Sequence, residues 1–437
     1  MRAPPTVRDD GSVTTLTNWS GNYTYRAPRL HRPDSVEQLQ EIVAGAERVK
    51  ALGSRHCFND IADTPGDLVD MSGLPDDVIV DGATVTVSAG MKYGTLASAL
   101  QENSLALDNL ASLPHISIAG AVATGTHGSG VGNQGLAAAV AAMELVQGDG
   151  ELRRVARGDD DFAGAVVSLG AIGAISRMTL DVVPTFQVRQ DVFENLPWAE
   201  LEANFEAVMS GAYSVSLFTD YLGDGVSQVW CKSRIESPAT PSAAFDDDGR
   251  VRSSYFGATP ATVDRHPLPG LGGEVCTPQL GVPGAWFERL PHFQLAFTPS
   301  NGEELQTEYL VPRERALEVI GVLRGLAPRI SPLLQVSEIR TVAADDLWLS
   351  PAYQRDCVAF HFTWVRDQPA VTALLREVES AISEYGPRPH WGKLFAADAA
   401  SLEVAYPELP RFRQLAQRLD PDGVFRNAYL DRYVFAD

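Results

Sequence analysis

Apolar and polar positions along this chain follow the helical period in some stretches and strict alternation in others. Ser35-Val-Glu-Gln38 has the spacing of a capping box, and Leu39, Ile42, Val43 and Ala46 then recur at helical spacing, which predicts a helix starting after Ser35. That helix delivers the chain to a short strand, Val49-Lys-Ala-Leu52, which stops at Gly53. Ala83-Thr-Val-Thr-Val-Ser88 alternates as a strand does, and Tyr93 to Glu102 reads as a helix. The first 185 residues are therefore α+β in pattern. Between Thr185 and Gly284 the periodic signal weakens, and Ser237-Pro-Ala-Thr-Pro-Ser-Ala-Ala-Phe-Asp-Asp-Asp248 is a polar, Pro-rich loop. A domain boundary is placed near Val183-Pro184. From Gln294 to Val365, strand-like runs alternate with helical ones such as Arg313 to Gly325, which predicts an antiparallel sheet backed by helices. No internal repeat and no low-complexity tract is present.

Three runs in the second region place hydrogen-bonding side chains on alternate positions. Ser337-Glu-Ile-Arg-Thr341 puts Glu338 and Arg340 on one strand face. Phe360-His-Phe-Thr-Trp364 puts His361 and Thr363 on one face, with Phe360, Phe362 and Trp364 on the other, and Leu305-Gln-Thr-Glu-Tyr309 pairs Gln306 with Glu308. One side of an antiparallel sheet often meets water, which is the plainer account of such a face. Solvent faces, however, usually carry Lys, Glu and Thr rather than His, Gln and a Glu-x-Arg pair. A wall of donors and acceptors suits an uncharged, hydroxyl-bearing ligand, because a missing ligand hydroxyl leaves a buried partner unpaired at a cost of about 1–3 kcal/mol.

Composition narrows the classes. The 437 residues exceed the roughly 250–300 at which a single core stops growing, so two domains are expected. Thirty-five Lys and Arg against 56 Asp and Glu leave a net charge of -21, which disfavours nucleic acid and anionic lipid as partners. No apolar run approaches the about 20 residues needed to span a bilayer. Met1-Arg-Ala-Pro-Pro-Thr-Val-Arg-Asp-Asp10 has no apolar leader core, so a cytoplasmic address is expected and the Asn-x-Ser/Thr matches at Asn18 and Asn22 are read as chance. Cys57, Cys231, Cys276 and Cys357 form no C-x-x-C pair, and no H-E-x-x-H occurs, so no metal is expected.

The glycines carry the remaining signal. Gly130-Val-Gly-Asn-Gln-Gly135 is a literal G-x-G-x-x-G, but it sits inside a small-residue coil rather than directly after a strand, so it is not read as a dinucleotide fingerprint. The longer coil, Asn109 to Gly130, combines glycines with small hydroxyl residues and permits close backbone approach to a ligand. Exposed peptide N–H groups and hydroxyls of this kind are what a pyrophosphate needs in a chain with little positive charge. Gly53-Ser-Arg-His56 follows a strand directly, in a chain with only eight histidines.

Gly53-Ser-Arg-His56, the long coil and Ser168-Leu-Gly-Ala-Ile-Gly-Ala-Ile-Ser176 together resemble the flavin-binding domain of the vanillyl-alcohol-oxidase superfamily, the PCMH type. The resemblance is closest to the alditol (xylitol) oxidases and continues through Pro389-His-Trp-Gly-Lys393 and Asp420-Pro-Asp-Gly-Val-Phe-Arg-Asn427, so nearly the whole chain is covered. It implies FAD bonded through its 8α-methyl to His56; a neutral imidazole nitrogen is a nucleophile at physiological pH, and a bond to it alters the redox potential of the ring. Cys57 stands where relatives usually have a small hydroxyl residue, a swap of similar size. Cofactor contacts are implied at Gly53, Ser54, Arg55, His56, Cys57, Ser112, Ser117, Gly120, Thr124, Gly125, Thr126, His127, Ile175 and His390. Substrate contacts are implied at Ser112, Glu338, Arg340, Thr363 and Lys393, with Gln306 and His361 completing the catalytic set. Alone, Lys393 reads as an exposed turn lysine; the resemblance sets its ammonium where negative charge develops.

The expected architecture is a two-domain VAO/PCMH-type FAD-binding fold of the α+β class with an antiparallel-sheet substrate cap. Residues 1–185 form the FAD domain, 186–385 the cap, and 386–437 complete the active-site region. The expected reaction oxidises the terminal primary alcohol of an alditol such as xylitol or sorbitol to the aldose, with hydride passing to flavin N5 and O2 reduced to hydrogen peroxide. Two alternatives stand beside it: an aldonolactone oxidase or dehydrogenase of the gulonolactone type, and a non-catalytic flavin or sugar binder. The expected partners are a small polyol and O2, with no nucleic acid, no membrane and a monomeric chain.

Overall fold

The alternation between Leu305 and Trp364 is realised in a nine-stranded antiparallel sheet. The computed structural model describes residues 16–235, 242–246, 248–297 and 303–436; the leader reading at Met1–Asp10 and residues 237–241 and 247 of the Pro-rich loop lie outside the described residues. Across the sheet run Gln187–Pro197, Gly225–Arg234, Ser214–Thr219, Leu334–Val342, Cys357–Val365 and Glu304–Pro312, each hydrogen-bonded to the next. Short strands finish the edges: Thr259–Pro260 and Gly284–Ala285 pair with Gln187–Pro197, and Arg388–Pro389 pairs with Glu304–Pro312.

Period two divides this sheet into an apolar face and a polar one. Val358, Phe360, Phe362 and Trp364 share a core with Leu201, Ile320, Leu323, Leu375 and Val378, which come from the helices Trp198–Met209, Ala316–Ile330 and Gln368–Ile382. The Phe362 and Trp364 rings stack at 5.1 Å and 4°. The intervening residues, with Glu308, Glu338 and Arg340 on the neighbouring strands, are buried on the opposite face. That face is therefore not a solvent face.

Where the periodic signal is weak, the structure has two of its longest strands, Gln187–Pro197 and Gly225–Arg234. Their alternation is broken by buried polar residues, Arg189, Gln190 and Asp191 on one and Lys232 and Ser233 on the other. Arg189 and Asp191 compensate each other on one strand face, with Arg189 Nε donating to Asp191 Oδ2 at 2.8 Å and Nη2 to Oδ1 at 2.7 Å. Elsewhere the boundaries are close to expectation: Val36–Ala44 is capped by Ser35, whose side chain accepts from Gln38 N, and Tyr93–Glu102 is helical. The helix expected from Arg313 opens as a single tight turn, Arg313–Arg315, and then runs as Ala316–Ile330, beyond Gly325.

The first part of the chain builds a parallel sheet in the order Arg29–His31, Asp67–Asp70, Val49–Leu52, and a five-stranded antiparallel sheet in the order Val78–Asp81, Thr84–Ser88, Ala174–Asp181, Val140–Val146, Leu152–Ala156. Val85, Leu96, Ile118, Met143 and Met178 share one core with Leu402, Phe412, Leu415 and Tyr429, so the C-terminal residues pack against this part of the molecule. Asn427 Nδ2 ties the two together by donating to Ile61 O at 3.0 Å and Asp63 O at 2.7 Å. Phe362→Ala is expected to cost about 3–5 kcal/mol through the cavity left beside Trp364; chemical denaturation followed by far-UV circular dichroism measures the loss.

Candidate active site

A cavity of about 290 Å³ opens between the polar face of the nine-stranded sheet and the glycine-rich loops of the first part of the chain. Gly53 ends the Val49–Leu52 strand against Ser117: a Cβ at Gly53 would lie 2.2 Å from Ser117 Oγ, so the close approach requires glycine. Two reciprocal bonds clamp the loops, Ser54 N donating to Ser117 Oγ and Ser117 N to Ser54 Oγ, each at 3.2 Å. Arg55 adopts φ 62°, a left-handed conformation that costs a non-glycine residue on the order of 1 kcal/mol and needs external support. The support comes from an N-terminal turn. Trp19 N donates to Arg55 O at 2.8 Å and Arg55 Nη1 to Thr17 O at 3.1 Å. Asn18 Nδ2 donates to Cys57 O at 2.9 Å and Asn22 Nδ2 to Phe58 O at 2.8 Å, so both glycosylation-like asparagines serve as braces.

This turn also positions His56. The Trp19 ring stacks on it with centroids 5.0 Å apart and an interplanar angle of 24°, and His56 Nδ1 lies 3.1 Å from Ser54 O. Burial pushes the His56 pKa down to about 4, against the opposing pull of the Ser54 carbonyl. The ring is neutral at pH 7 and keeps a lone pair on one nitrogen. Burial likewise pushes the Cys57 thiol up to about 12, so it stays protonated.

The opposite wall is organised around Glu308. Arg340 Nη2 donates to Glu308 Oε1 at 2.5 Å, His127 Nε2 lies 3.3 Å from the same oxygen, and Lys393 Nζ lies 3.8 Å from Oε2. Burial opposes ionisation of Glu308, but Arg340, His127 and Lys393 together outweigh it and hold the carboxyl well below the usual range. Lys393 Nζ also donates to Gln306 Oε1 at 2.5 Å, and His361 Nε2 lies 3.1 Å from that oxygen. Gln306 Nε2 in turn donates to Glu304 Oε1 at 2.5 Å, which sets the orientation of the amide. Burial, reinforced by Lys393, keeps His361 well below its ordinary value, and burial pushes His390 down to about 3. Arg340 Nη1 donates to Ser112 Oγ at 3.4 Å, linking the sheet to the long coil.

Of the residues expected from sequence, His56, Ser112, Gln306, Glu338, Arg340, His361, Thr363, His390 and Lys393 all line this one cavity. Ser54, Arg55, Cys57, Ser117, Gly120, Thr124, Thr126, His127 and Ile175 line it as well. Gly125 does not; its φ of 72° serves the turn that ends the short helix Ile118–Ala123, where a Cβ would press on Pro351 Cδ at 2.8 Å. Periodicity pairs Glu308 with Gln306 on a strand face and does not show its central place. His292 and Lys232 were missed altogether. Both lie in or beside the stretch of weak periodicity, where a Lys directly after the apolar run Val229-Trp-Cys231 is the signal that the sequence offers.

The lining fits a flavin dinucleotide. Neutral hydroxyls of Ser54, Ser117, Thr124 and Thr126 alternate with apolar Ala119, Ile116 and Ile175, and Gly120, whose Cβ would sit 2.8 Å from Ser117 Oγ, keeps the wall open. Residues 27–156 match the family described as FAD binding domain, and residues 298–433 match D-arabinono-1,4-lactone oxidase. The chain is 48% identical to an alditol oxidase of a Streptomyces species over 95% of its own length and 98% of the relative's. It is 33% identical to the L-gulono-1,4-lactone dehydrogenase of Mycobacterium tuberculosis, covering 96% and 98%, and 27% identical to the L-gulonolactone oxidase of Bos taurus, again covering 96% and 98%. A solved cholesterol oxidase from B. sterolicum superimposes with a TM-score of 0.77 over 99% of both chains at 17% identity, which shows a shared fold. Among the described residues no helix is long and apolar enough to cross a membrane, and no cluster of ligating side chains suited to a metal occurs.

Removing Arg340 leaves Glu308 buried without its main counter-charge. Arg340→Met is expected to lose about 3–5 kcal/mol of stability at pH 7. The folded-state pKa of Glu308 lies below the unfolded value of 4.5, so the pair stabilises the native chain above that pH and ceases to as pH falls through the folded value. In the variant only His127 and Lys393 oppose burial, so the folded-state pKa of Glu308 rises relative to the parent's and the stability gap between the two should narrow on acidification. Denaturation midpoints at pH 7 and pH 4 check the sign.

Proposed function

Because the chain belongs to the alditol oxidase family and carries an FAD-binding domain, we propose that it oxidises the terminal primary alcohol of alditols such as xylitol and sorbitol to the aldose, with FAD bonded covalently to His56. The observation that carries this reading is the buried polar wall itself. Glu308, Glu338, Arg340, His361, Thr363, Gln306 and Lys393 face one cavity shared with the His56 loop. Such a wall offers both acceptors and donors to the several hydroxyls of an open-chain polyol. FAD, when bound, supplies the hydride acceptor and passes the electrons to O2 as hydrogen peroxide.

The residues divide the work between recognition and charge. Glu338 accepts hydrogen bonds from hydroxyls, Thr363 accepts or donates them, and Ser112 contacts both cofactor and substrate. Arg340 and Lys393 stabilise the negative charge that develops on the reacting oxygen, and a water-poor cavity strengthens that effect. Lys393 is held by Gln306 and Glu308, and burial lowers its pKa while Glu308 resists. His56, neutral and stacked on Trp19, is the nucleophile for cofactor attachment. Fixing the polyol by several hydrogen bonds at once converts binding into orientation, so the loss of one partner lowers turnover as well as affinity.

Purified protein incubated with xylitol, sorbitol and gulonolactone is expected to form peroxide with the two polyols; a strong lactone signal with silent polyols overturns the substrate in favour of the lactone reading. Anaerobic addition of xylitol should bleach the yellow absorbance, and no bleaching with any polyol or lactone would leave a non-catalytic binder. On an acid-treated denaturing gel under ultraviolet light, the parent should fluoresce and His56→Ala should not. Lys393→Met is expected to slow anaerobic bleaching by about 10²–10³-fold while the flavin content stays at the parent's level.

A further inference from the structure

Behind the polar wall lies a lysine that hydroxyl recognition leaves unexplained. Lys232, on the Gly225–Arg234 strand, is only 1% exposed. Its ammonium donates to Leu290 O at 2.5 Å and Pro291 O at 3.0 Å, and lies 3.1 Å from His292 Nδ1. On its other side, His292 Nε2 lies 2.7 Å from Glu338 Oε1. Arg340 Nε stands 3.6 Å from the same oxygen, and among the described residues the Glu338 carboxylate has no other hydrogen-bond or ion-pair partner. The His292 ring is fixed by edge contacts with Phe218 at 5.6 Å and Trp230 at 5.1 Å, and its backbone N donates to Ser112 O at 3.0 Å.

Burial pushes the Lys232 pKa down to about 7 while Glu338 resists, and with the amine protonated only one arrangement of protons satisfies this row. An ammonium has three donors and no lone pair, and a carboxylate only accepts. A neutral imidazole between them must accept at Nδ1 and donate from Nε2; the opposite tautomer sets N–H against N–H at one end and lone pair against carboxylate at the other. Burial keeps His292 neutral, its pKa pushed down to about 4, and Arg340 and His292 together outweigh burial and hold Glu338 well below the usual carboxyl range.

We propose that Lys232 and His292 are a positioning pair for substrate recognition: the Lys232 ammonium selects the Nε2–H tautomer of His292, and that N–H occupies Glu338 Oε1 so that Oε2 accepts a substrate hydroxyl. Lys232 does not line the cavity, and His292, which does, has both ring nitrogens taken, by Lys232 and by Glu338. The pair sets the hydrogen-bonding polarity of the carboxylate that meets the substrate, and so selects for a donor at that point of the polyol. This inference rests on the assignment of Glu338 to polyol binding.

Two variants separate the pair from simple packing. Lys232→Met keeps the stem and removes the donors; His292→Phe keeps a ring between Phe218 and Trp230 and removes Nε2–H. With flavin content at the parent's level, each is expected to raise the KM for xylitol about tenfold or more and, because the hydroxyl held by Glu338 also orients the polyol, to lower kcat as well. In a Glu338→Gln background the same substitutions should add little, because the carboxylate they act through is gone. Nitrogen-15 spectra of histidine-labelled protein should show, beside the Nε2–H tautomers of His266 and His390, an Nε2–H signal that is lost in His292→Phe and altered in Lys232→Met. An unchanged KM in both variants, an equal KM rise in the Glu338→Gln background, or a His292 tautomer indifferent to Lys232→Met overturns the proposal. If the parent itself is silent with every alditol, the assigned substrate fails, while the tautomer measurement still decides the Lys232–His292 pair.

Discussion

A carboxylate taken out of water is tolerated only where its charge is answered, and Glu308 is answered from three separate parts of the chain. Arg340 reaches it across the intervening Cys357–Val365 strand, His127 from the long glycine coil and Lys393 from the C-terminal turn. None of these partners is close to Glu308 in sequence. The desolvation of one group thus fixes the relative placement of the sheet, the coil and the turn. Gln306, Glu338, His361 and Ser112 take their geometry from that placement, through bonds to Lys393 and Arg340 or through the strands that carry them.

The second physical theme is neutrality. Burial holds His56, His292 and His390 in the uncharged state, with pKa values pushed down to about 4, 4 and 3. The carboxylates that remain ionised are paired with arginine or lysine. A chain with a net charge of -21 therefore presents inside its cavity a surface of fixed dipoles and balanced pairs. An uncharged, hydroxyl-rich ligand is matched by such a surface without a net charge of its own, and a neutral imidazole can serve as a nucleophile where a protonated one cannot.

Much of this was legible before any coordinates. The capped helix after Ser35, the strand before Gly53 and the helix from Tyr93 rest on local rules of capping, period and glycine, and they stand within a residue or two of expectation. The split of Phe360, Phe362 and Trp364 from His361 and Thr363 followed from period two alone, since a strand cannot turn one neighbour inward without turning the next outward. The Gln187–Pro197 and Gly225–Arg234 strands were not legible, because Arg189, Asp191 and Lys232 are charged residues in buried positions. Their compensation comes from partners that alternation does not register: Asp191 for Arg189, and the carbonyls of Leu290 and Pro291 for Lys232.

The sequence by itself determined which residue types stand on which face of which element, and hence that a polar wall and a histidine loop exist. It also carried, through the quoted loops, the kinship with flavin-dependent alditol oxidases. Only the tertiary structure decided that the wall faces the loop across one cavity, that Glu308 sits at its centre, and that Trp19 and the Asn18–Asn22 turn brace His56. The reason is one of range. Capping and periodicity act over a few residues and can be read along the chain, whereas the pairing of buried charges is settled by which segments meet after folding, and no local pattern records that meeting.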